Sequence, residues 1–166
     1  MDVQDILLLY QYNYWARDRI LEQVVKLSPQ QLLESRTYGH GSIRNVLVHI
    51  LSAEWVWRVR CQEQVSPSAL LPLDDYPGFE PLRVRYLQEE ERMQGYLNSL
   101  HGTELYQEVR YQTTGGEEQA NVLWHLLVHI VNHGTEHRSQ VASELTAYGY
   151  SPGDLDLVHF VRAGST

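Results

Sequence analysis

Histidines are the residues of this sequence whose type and spacing are best suited to chemistry. The chain has eight of them, and four recur at every fourth position, at His125, His129, His133 and His137. On an α-helix a step of four residues changes the side-chain direction by about 40°, so such a row winds slowly around the helix. The four imidazoles therefore cannot all face the interior.

The apolar residues of the same segment indicate which histidines face inward. They are Leu123, Leu126, Leu127, Ile130, Gly134, Val141 and Leu145. His137 points within the arc that these residues span, and His133 lies at the edge of that arc. His129 lies further round and His125 almost opposite, so we expect these two to be ordinary histidines that bind no metal.

Two imidazoles four residues apart on one helical face can bind a single ion, but a stable site needs a third ligand. His49 borders the apolar stripe of an earlier helical segment and is the candidate. Three neutral nitrogens leave one or two coordination positions open, as in reactive metal sites. The sequence thus predicts a divalent metal site made by His49, His133 and His137, although imidazole ligands do not identify the metal.

The remaining polar and aromatic candidates have plainer expected roles. Glu89 lies on the apolar stripe of a third helical segment, where a carboxylate at the rim of the site is expected and a ligand-orienting or basic role is the alternative. Cys61 is expected to fill space in the core. Core positions are also expected for Tyr10, Tyr14, Trp55 and Trp57, although these aromatic residues are suited to lining a pocket beside the metal.

Four segments with helical periodicity must position the histidines. They cover residues 3–26, 42–65, 81–100 and 118–148, with a short strand at 109–112 and a last short helix at 155–161. Ser42 is expected to cap the second segment, and Gly149 to end the fourth. The prolines between the second and third segments indicate a long crossover loop.

Length and composition favour one helical domain over residues 1–166 and exclude several classes of function. The chain has a net charge of −8 without a basic patch, so nucleic acid and anionic membranes are not expected partners. The start at Met1-Asp2 does not resemble a secretory signal, and the single cysteine cannot form an internal disulfide. A cytoplasmic protein is therefore expected.

Several motifs resemble those of the DinB family. The first and second helical segments contribute Tyr14-Trp15-Ala16-Arg17 and Ser42-Ile43-Arg44, the latter leading to His49. The strongest motif is His129-Ile130-Val131-Asn132-His133 followed by His137-Arg138-Ser139-Gln140, and the ending Asp154-Leu155-Asp156-Leu157 also fits. The family often has glycine where this chain has Ser139, a difference expected to affect helix packing only.

The resemblance implies an all-α four-helix bundle in up-down-down-up order, followed by a short C-terminal helix. It implies that a histidine triad binds nickel or zinc, onto which His49, His133 and His137 map, and that the protein is frequently a homodimer. Relatives include transferases and isomerases that use low-molecular-weight thiols. Thiol transfer is therefore the leading hypothesis for its activity, on fold-level analogy.

Two other functions remain open from the sequence. One is a non-catalytic metal-binding stress protein, which would need no accessible coordination position. The other is a metal-dependent hydrolase, because residues 133–137 spell the H-x-x-E-H pattern of inverted zinc peptidases with Glu136 as base. That pattern needs a further ligand downstream of His137, where Glu144 is the only glutamate.

Overall fold

Six α-helices and one β-hairpin are the main elements of the computed structural model, which describes residues 1–35 and 39–164. The helices are α1 (Val3–Val24), α2 (Pro29–Leu33), α3 (Ile43–Arg58), α4 (Phe79–Ser99), α5 (Leu123–Ala147) and α6 (Leu157–Ala163). The antiparallel strands β1 (Glu108–Gln112) and β2 (Glu118–Val122) pair along their whole length. The mostly helical prediction is confirmed, whereas the purely α-helical class is corrected by this hairpin.

Side-chain caps explain where several helices begin. Asp2 and Asp5 form a reciprocal capping box at the start of α1, and Ser28 and Gln31 form another at α2. The Ser42 hydroxyl accepts a hydrogen bond from the backbone amide of Asn45, at 3.2 Å, so this predicted cap is confirmed. Beyond α5, Gly149 has a φ of 83°, as the predicted helix-ending glycine requires.

Two predicted boundaries were wrong, and one short helix was missed. The separate helix α2 follows the first segment, because Ser28 caps a new helix that has Pro29 at its first position. The second leaves α-helical geometry after Arg58 and continues as one π-helical turn over Val59–Glu63. The fourth begins at Leu123, because the preceding five residues pair with β1 across a turn containing Gly116, whose φ is 89°.

Contacts between the long helices define their relative directions. The Tyr10 hydroxyl of α1 donates to the Leu127 carbonyl of α5, and Asn13, later on α1, accepts from Arg138, later on α5. Because both contacts move forward along the two helices in the same order, α1 and α5 are parallel. Helix α3 runs antiparallel to α5, since His49 contacts His133 and Trp57, two turns later, contacts His129.

Helix α4 packs on both α3 and α1. The Tyr86 hydroxyl donates to the Leu47 carbonyl and Arg58 pairs with Glu89, so α4 is parallel to α3. Arg17 of α1 pairs with Glu90 at 2.5 Å, on an adjacent face of the same helix. None of the helices in the described ranges combines the length and apolar character that crossing a bilayer requires.

Candidate metal centre

Helices α3 and α5 bring the three predicted histidines together. The ring centroids of His49 and His133 lie 4.9 Å apart, those of His49 and His137 4.6 Å, and those of His133 and His137 4.4 Å. His137 is buried, His133 is half-buried, and both His129 and His125 are exposed. The burial order deduced from helical geometry is therefore confirmed along α5.

A fourth imidazole, from His40, joins this cluster and was not expected from the sequence. Its ring stacks on that of His49, with centroids 3.8 Å apart and planes 22° apart. One ring nitrogen from each of His40, His49 and His137 lies within 4.8 Å of the others, which is a grouping able to hold a metal ion. His40 lies in a loop, where helical periodicity gives no signal; its position just before the helix that carries His49 was the available clue.

The distance between His49 and His133 fits two ligands of one ion. Their Nε2 atoms are 3.0 Å apart. Two nitrogens that each lie about 2.0–2.1 Å from a shared ion are separated by about 2.9–3.4 Å. The donors of the cluster are all imidazole nitrogens, which suit zinc, nickel, copper and iron. The residues present therefore fit a divalent transition metal.

Gln140 fixes the orientation of His137. Its side-chain oxygen lies 3.2 Å from His137 Nδ1, one helical turn further along α5. If Nδ1 carries the proton and donates it to this oxygen, Nε2 is left unprotonated and available as a ligand, which is how outer partners commonly orient metal-binding histidines. The Gln140 contact thus suits the tautomer that a metal site needs.

The electrostatics of the cluster keep the rings of His49 and His133 neutral. Burial, together with the neighbouring imidazoles His40 and His137, lowers the pKa of His49 to about 4. Burial and the same cluster also lower the pKa of His133 to about 4. Uncharged imidazoles are the form that binds metal, so these two ligands need no deprotonation at neutral pH.

An open cavity of about 270 Å³ adjoins the histidine cluster. It lies between the second half of α3, the hairpin and α5, and its walls include His49, His133, Trp57, Arg60 and Tyr111. Two of the histidines therefore face space large enough for a small molecule. Trp57 forms part of this wall, which corrects its expected place in the core, whereas Tyr10 and Tyr14 are buried as predicted.

Glu89 is not a rim carboxylate, contrary to the expectation. Its side chain is 1% exposed and accepts from Arg58 at 2.5 Å and from Arg85 at 2.9 Å. The partner Arg58 comes from another helix, so no local sequence pattern predicts this ion pair. Glu89 stabilises the packing of α3 on α4 and takes no part in the histidine cluster.

Two further candidates lie away from the chemistry. Cys61 is buried, and burial raises the pKa of its thiol to about 12, so it is core filling as predicted and not a nucleophile. Glu136 is exposed, and no hydrogen bond or ion pair of its side chain with the histidine cluster is found among the described residues. The geometry therefore gives no support to the inverted zinc peptidase hypothesis.

Comparison with known sequences agrees with the motifs. The sequence profile of the DinB family matches residues 1–164. The chain is also similar to Protein DinB of Bacillus subtilis (strain 168), with 25% identity over 154 residues. That alignment covers 89% of this chain and 88% of the relative.

Proposed function

This chain belongs to the DinB family, and on that premise we propose that it binds one divalent ion, nickel or zinc, and uses it to transfer a low-molecular-weight thiol. The observation that carries the proposal is the cavity of about 270 Å³ that opens onto His49 and His133. A site that only stores or buries an ion has no use for substrate-sized space beside its ligands.

The proposed ligands are His49, His133 and His137. His133 and His137 lie one turn apart on α5, and the His49–His133 nitrogen separation of 3.0 Å already suits a shared ion. His40 is less suitable as a primary ligand because its ring is stacked nearly parallel to that of His49. Parallel rings direct their in-plane lone pairs side by side, so His40 would have to turn before joining the same ion.

Single substitutions distinguish His133 from His40 as the third ligand beside His49 and His137. His133→Ala is expected to weaken nickel or zinc binding strongly, and His40→Ala only slightly. Calorimetric titration of the metal-free variants measures both, and circular dichroism verifies that each is folded. The reverse order of affinities would assign the third position to His40 and overturn the proposed ligand set.

When bound, the ion supplies Lewis acidity that lowers the pKa of a thiol or water at its open position. The protein's own residues orient the ligands of the ion and form the wall of the cavity. Gln140 holds the ring of His137, and Trp57 and Tyr111 contact each other edge to face, with centroids 5.0 Å apart, as an aromatic wall of the cavity. In the transfer, the thiol sulfur bonds to the electrophilic carbon, the leaving group departs with its bonding pair, and the thiol proton passes to solvent.

A direct assay tests thiol transfer. Metal-loaded protein is mixed with 1-chloro-2,4-dinitrobenzene and, in turn, glutathione, bacillithiol and mycothiol, and chloride displacement is followed by absorbance. We expect at least one thiol to react faster with the loaded protein than with the metal-free protein or with the His137→Ala variant. The proposal would be contradicted if, for each of the three thiols, the loaded protein, the metal-free protein and the His137→Ala variant all gave the same rate.

Non-catalytic metal binding is the second candidate, and the position of His40 favours it. A ring stacked on His49 at 3.8 Å lies where it can turn to occupy the last coordination position. If so, X-ray absorption of the nickel-loaded protein would show four imidazoles, and His40→Ala would lower that number to three. A coordination shell that is unchanged by this substitution favours the enzyme.

We also propose that α1, α3, α4 and α5 form the up-down-down-up bundle of a single domain. The parallel α1–α5 and α3–α4 contacts and the antiparallel α3–α5 contact support this order. Homodimer formation stays a prediction from the family resemblance, and the mass in solution by light scattering tests it.

A further inference from the structure

Arg60 lies in the wall of the cavity and is almost fully buried. The residue is 5% exposed and belongs to the π-helical turn that follows α3. Its guanidinium lies over the rings of Trp57 and Tyr111, at 4.8 and 5.2 Å from their centroids. One extra residue in a helical turn redirects the side chains that follow, and such turns are frequent at functional sites.

The charge of Arg60 has no acidic partner among the residues that the structure describes. Its Nη2 donates to the backbone carbonyl oxygen of Gln112 at 3.0 Å, and its Nε is buried without a hydrogen-bond partner. Burial lowers the pKa of this guanidinium. A buried cation is costly unless an anion or a full set of acceptors compensates it.

Three other buried arginines show how their charges are compensated in this protein. Arg58, two residues earlier, pairs with Glu63 at 2.8 Å and Glu89 at 2.5 Å. Arg17 also has one unpartnered nitrogen, but it pairs with Asp18 and Glu90. Arg138 donates to Asn13 and Thr135 and lies away from the cavity. Only Arg60, among these four, combines a buried charge, a position in the wall of this cavity and the lack of a carboxylate within the described ranges.

The cavity connects Arg60 to the histidine cluster. Arg60 and His49 lie about three helical turns apart along one side of the chain, or about 16 Å at the backbone. Ring contacts bridge this interval, from Trp57 to His129 at 5.4 Å and from His129 to His133 at 5.8 Å. A ligand that reaches both ends must therefore carry its anionic group several bonds away from its metal-binding atom.

We propose that Arg60 binds a carboxylate of the substrate, so that the preferred thiol carries a carboxylate several bonds from its sulfur. This inference rests on the proposed thiol transfer and names the substrate class. Glutathione and bacillithiol carry carboxylates and mycothiol carries none, so the first two are the expected substrates. A planar guanidinium suits a carboxylate because it presents paired N–H donors.

Calorimetric titration with glutathione and with glutathione diethyl ester tests the subsite. The two probes share the same thiol, but the ester has no free carboxylate. The nickel-loaded parent is expected to bind glutathione at least tenfold more tightly than the ester. Arg60→Gln is expected to lose this preference by binding glutathione as weakly as the parent binds the ester. Arg110→Gln, which alters an exposed arginine of the neighbouring strand, should keep the parent's preference.

Repeating the titrations without metal separates failure of this inference from failure of thiol transfer. Glutathione binding that needs nickel but is unchanged in Arg60→Gln, or an ester that binds as well as the acid, overturns the Arg60 subsite alone. Binding that needs Arg60 but not nickel keeps the subsite and contradicts the proposed metal chemistry. Absence of glutathione binding to every form overturns both. Nickel titration and circular dichroism of Arg60→Gln are expected to match the parent.

Discussion

Two groups of polar side chains involve helix α3, one where it packs on α4 and one where it packs on α5, and they differ in how their partners are supplied. One is the interior ion-pair group, formed by Arg58, Arg85 and Glu89, in which each charge meets the opposite charge at 2.5–2.9 Å. The other is the histidine cluster, in which imidazoles face one another and the pKa values of His49 and His133 fall to about 4.

This difference distinguishes polar side chains that stabilise the fold from polar side chains that are available to bind a ligand. The interior group completes its own contacts, so its buried charges belong to the folded structure. The histidine cluster and Arg60 leave ligand nitrogens and a buried cation facing a cavity, so their partners must come from outside the chain. Substitutions in the first group should therefore change stability, and substitutions in the second should change binding.

Removing Glu89 should have the largest effect on stability. Glu89→Ala leaves Arg58 and Arg85 without their buried carboxylate, which is expected to cost about 3–5 kcal/mol of unfolding free energy. Urea denaturation of the metal-free protein measures this loss. Glu80→Gln, which breaks the exposed pair with Arg83, is the control and should leave the midpoint unchanged. A loss equal to that control would contradict the distinction between the two groups.

The buried carboxyl of Glu54 makes the stability of the interior depend on pH. Burial raises the pKa of this carboxyl, which accepts from the Tyr14 hydroxyl at 2.8 Å, from 4.5 to about 6. A raised carboxyl pKa means that stability is fully present below 4.5 and falls as pH rises through 6. Glu54→Gln keeps an acceptor for Tyr14 without the charge, so it should be about 2 kcal/mol more stable than the parent at pH 7.5.

The measurement is the unfolding free energy of Glu54→Gln minus that of the parent, determined at pH 7.5 and again at pH 4.5. The difference should shrink toward zero at the lower pH, where the parent carboxyl is protonated. Other titrating groups cancel because they are common to both proteins. A difference that is the same at both pH values would show that ionisation of Glu54 is not its cause.

Gln140 tests the histidine cluster from its outer side. Gln140→Ala removes the contact that orients His137, and loss of such an outer partner weakens metal binding by about tenfold. Stability of the metal-free protein should change little, which is the opposite of the result for Glu89. Ser139→Ala, at the adjacent exposed position, is the control in the same nickel titration. Equal affinities for both variants would remove Gln140 from the site.

His129 should give the smallest effect on metal binding. It is exposed and contacts the cluster only through its ring, 5.8 Å from that of His133. His129→Ala is expected to bind nickel within about twofold of the parent, because no proposed ligand is lost. A loss comparable to that of His133→Ala would mean that the row on α5 supplies a further ligand.

Local features of the site could be predicted from the sequence, and non-local ones could not. Helical geometry placed His137 inward and His125 outward because the surrounding apolar residues lie on the same helix. The pair of Arg58 and Glu89 joins residues 31 positions apart, so no helical spacing reports it. The β2 strand is largely polar and forms by pairing with β1. Helical periodicity within one segment does not predict pairing between two segments.

His40 and Arg60 show the same limit in the cavity. His40 reaches the cluster from a loop between Gly39 and Gly41, whose φ angles are 65° and 94°. Arg60 is placed by a π-helical turn that breaks the 3.6-residue periodicity used to assign faces. Both positions depend on backbone geometry that deviates from a regular helix, and so the sequence pattern alone missed them.

Nickel titration of the His137→Ala variant is the most direct test of the proposed histidine metal centre. His137 is the most deeply buried histidine of the proposed triad, and it lies beside both His49 and His133. This variant, folded by circular dichroism, is expected to bind nickel about a hundredfold more weakly or not at all, while His125→Ala should bind as the parent does. Parent-like affinity in folded His137→Ala would contradict the assignment of the metal centre.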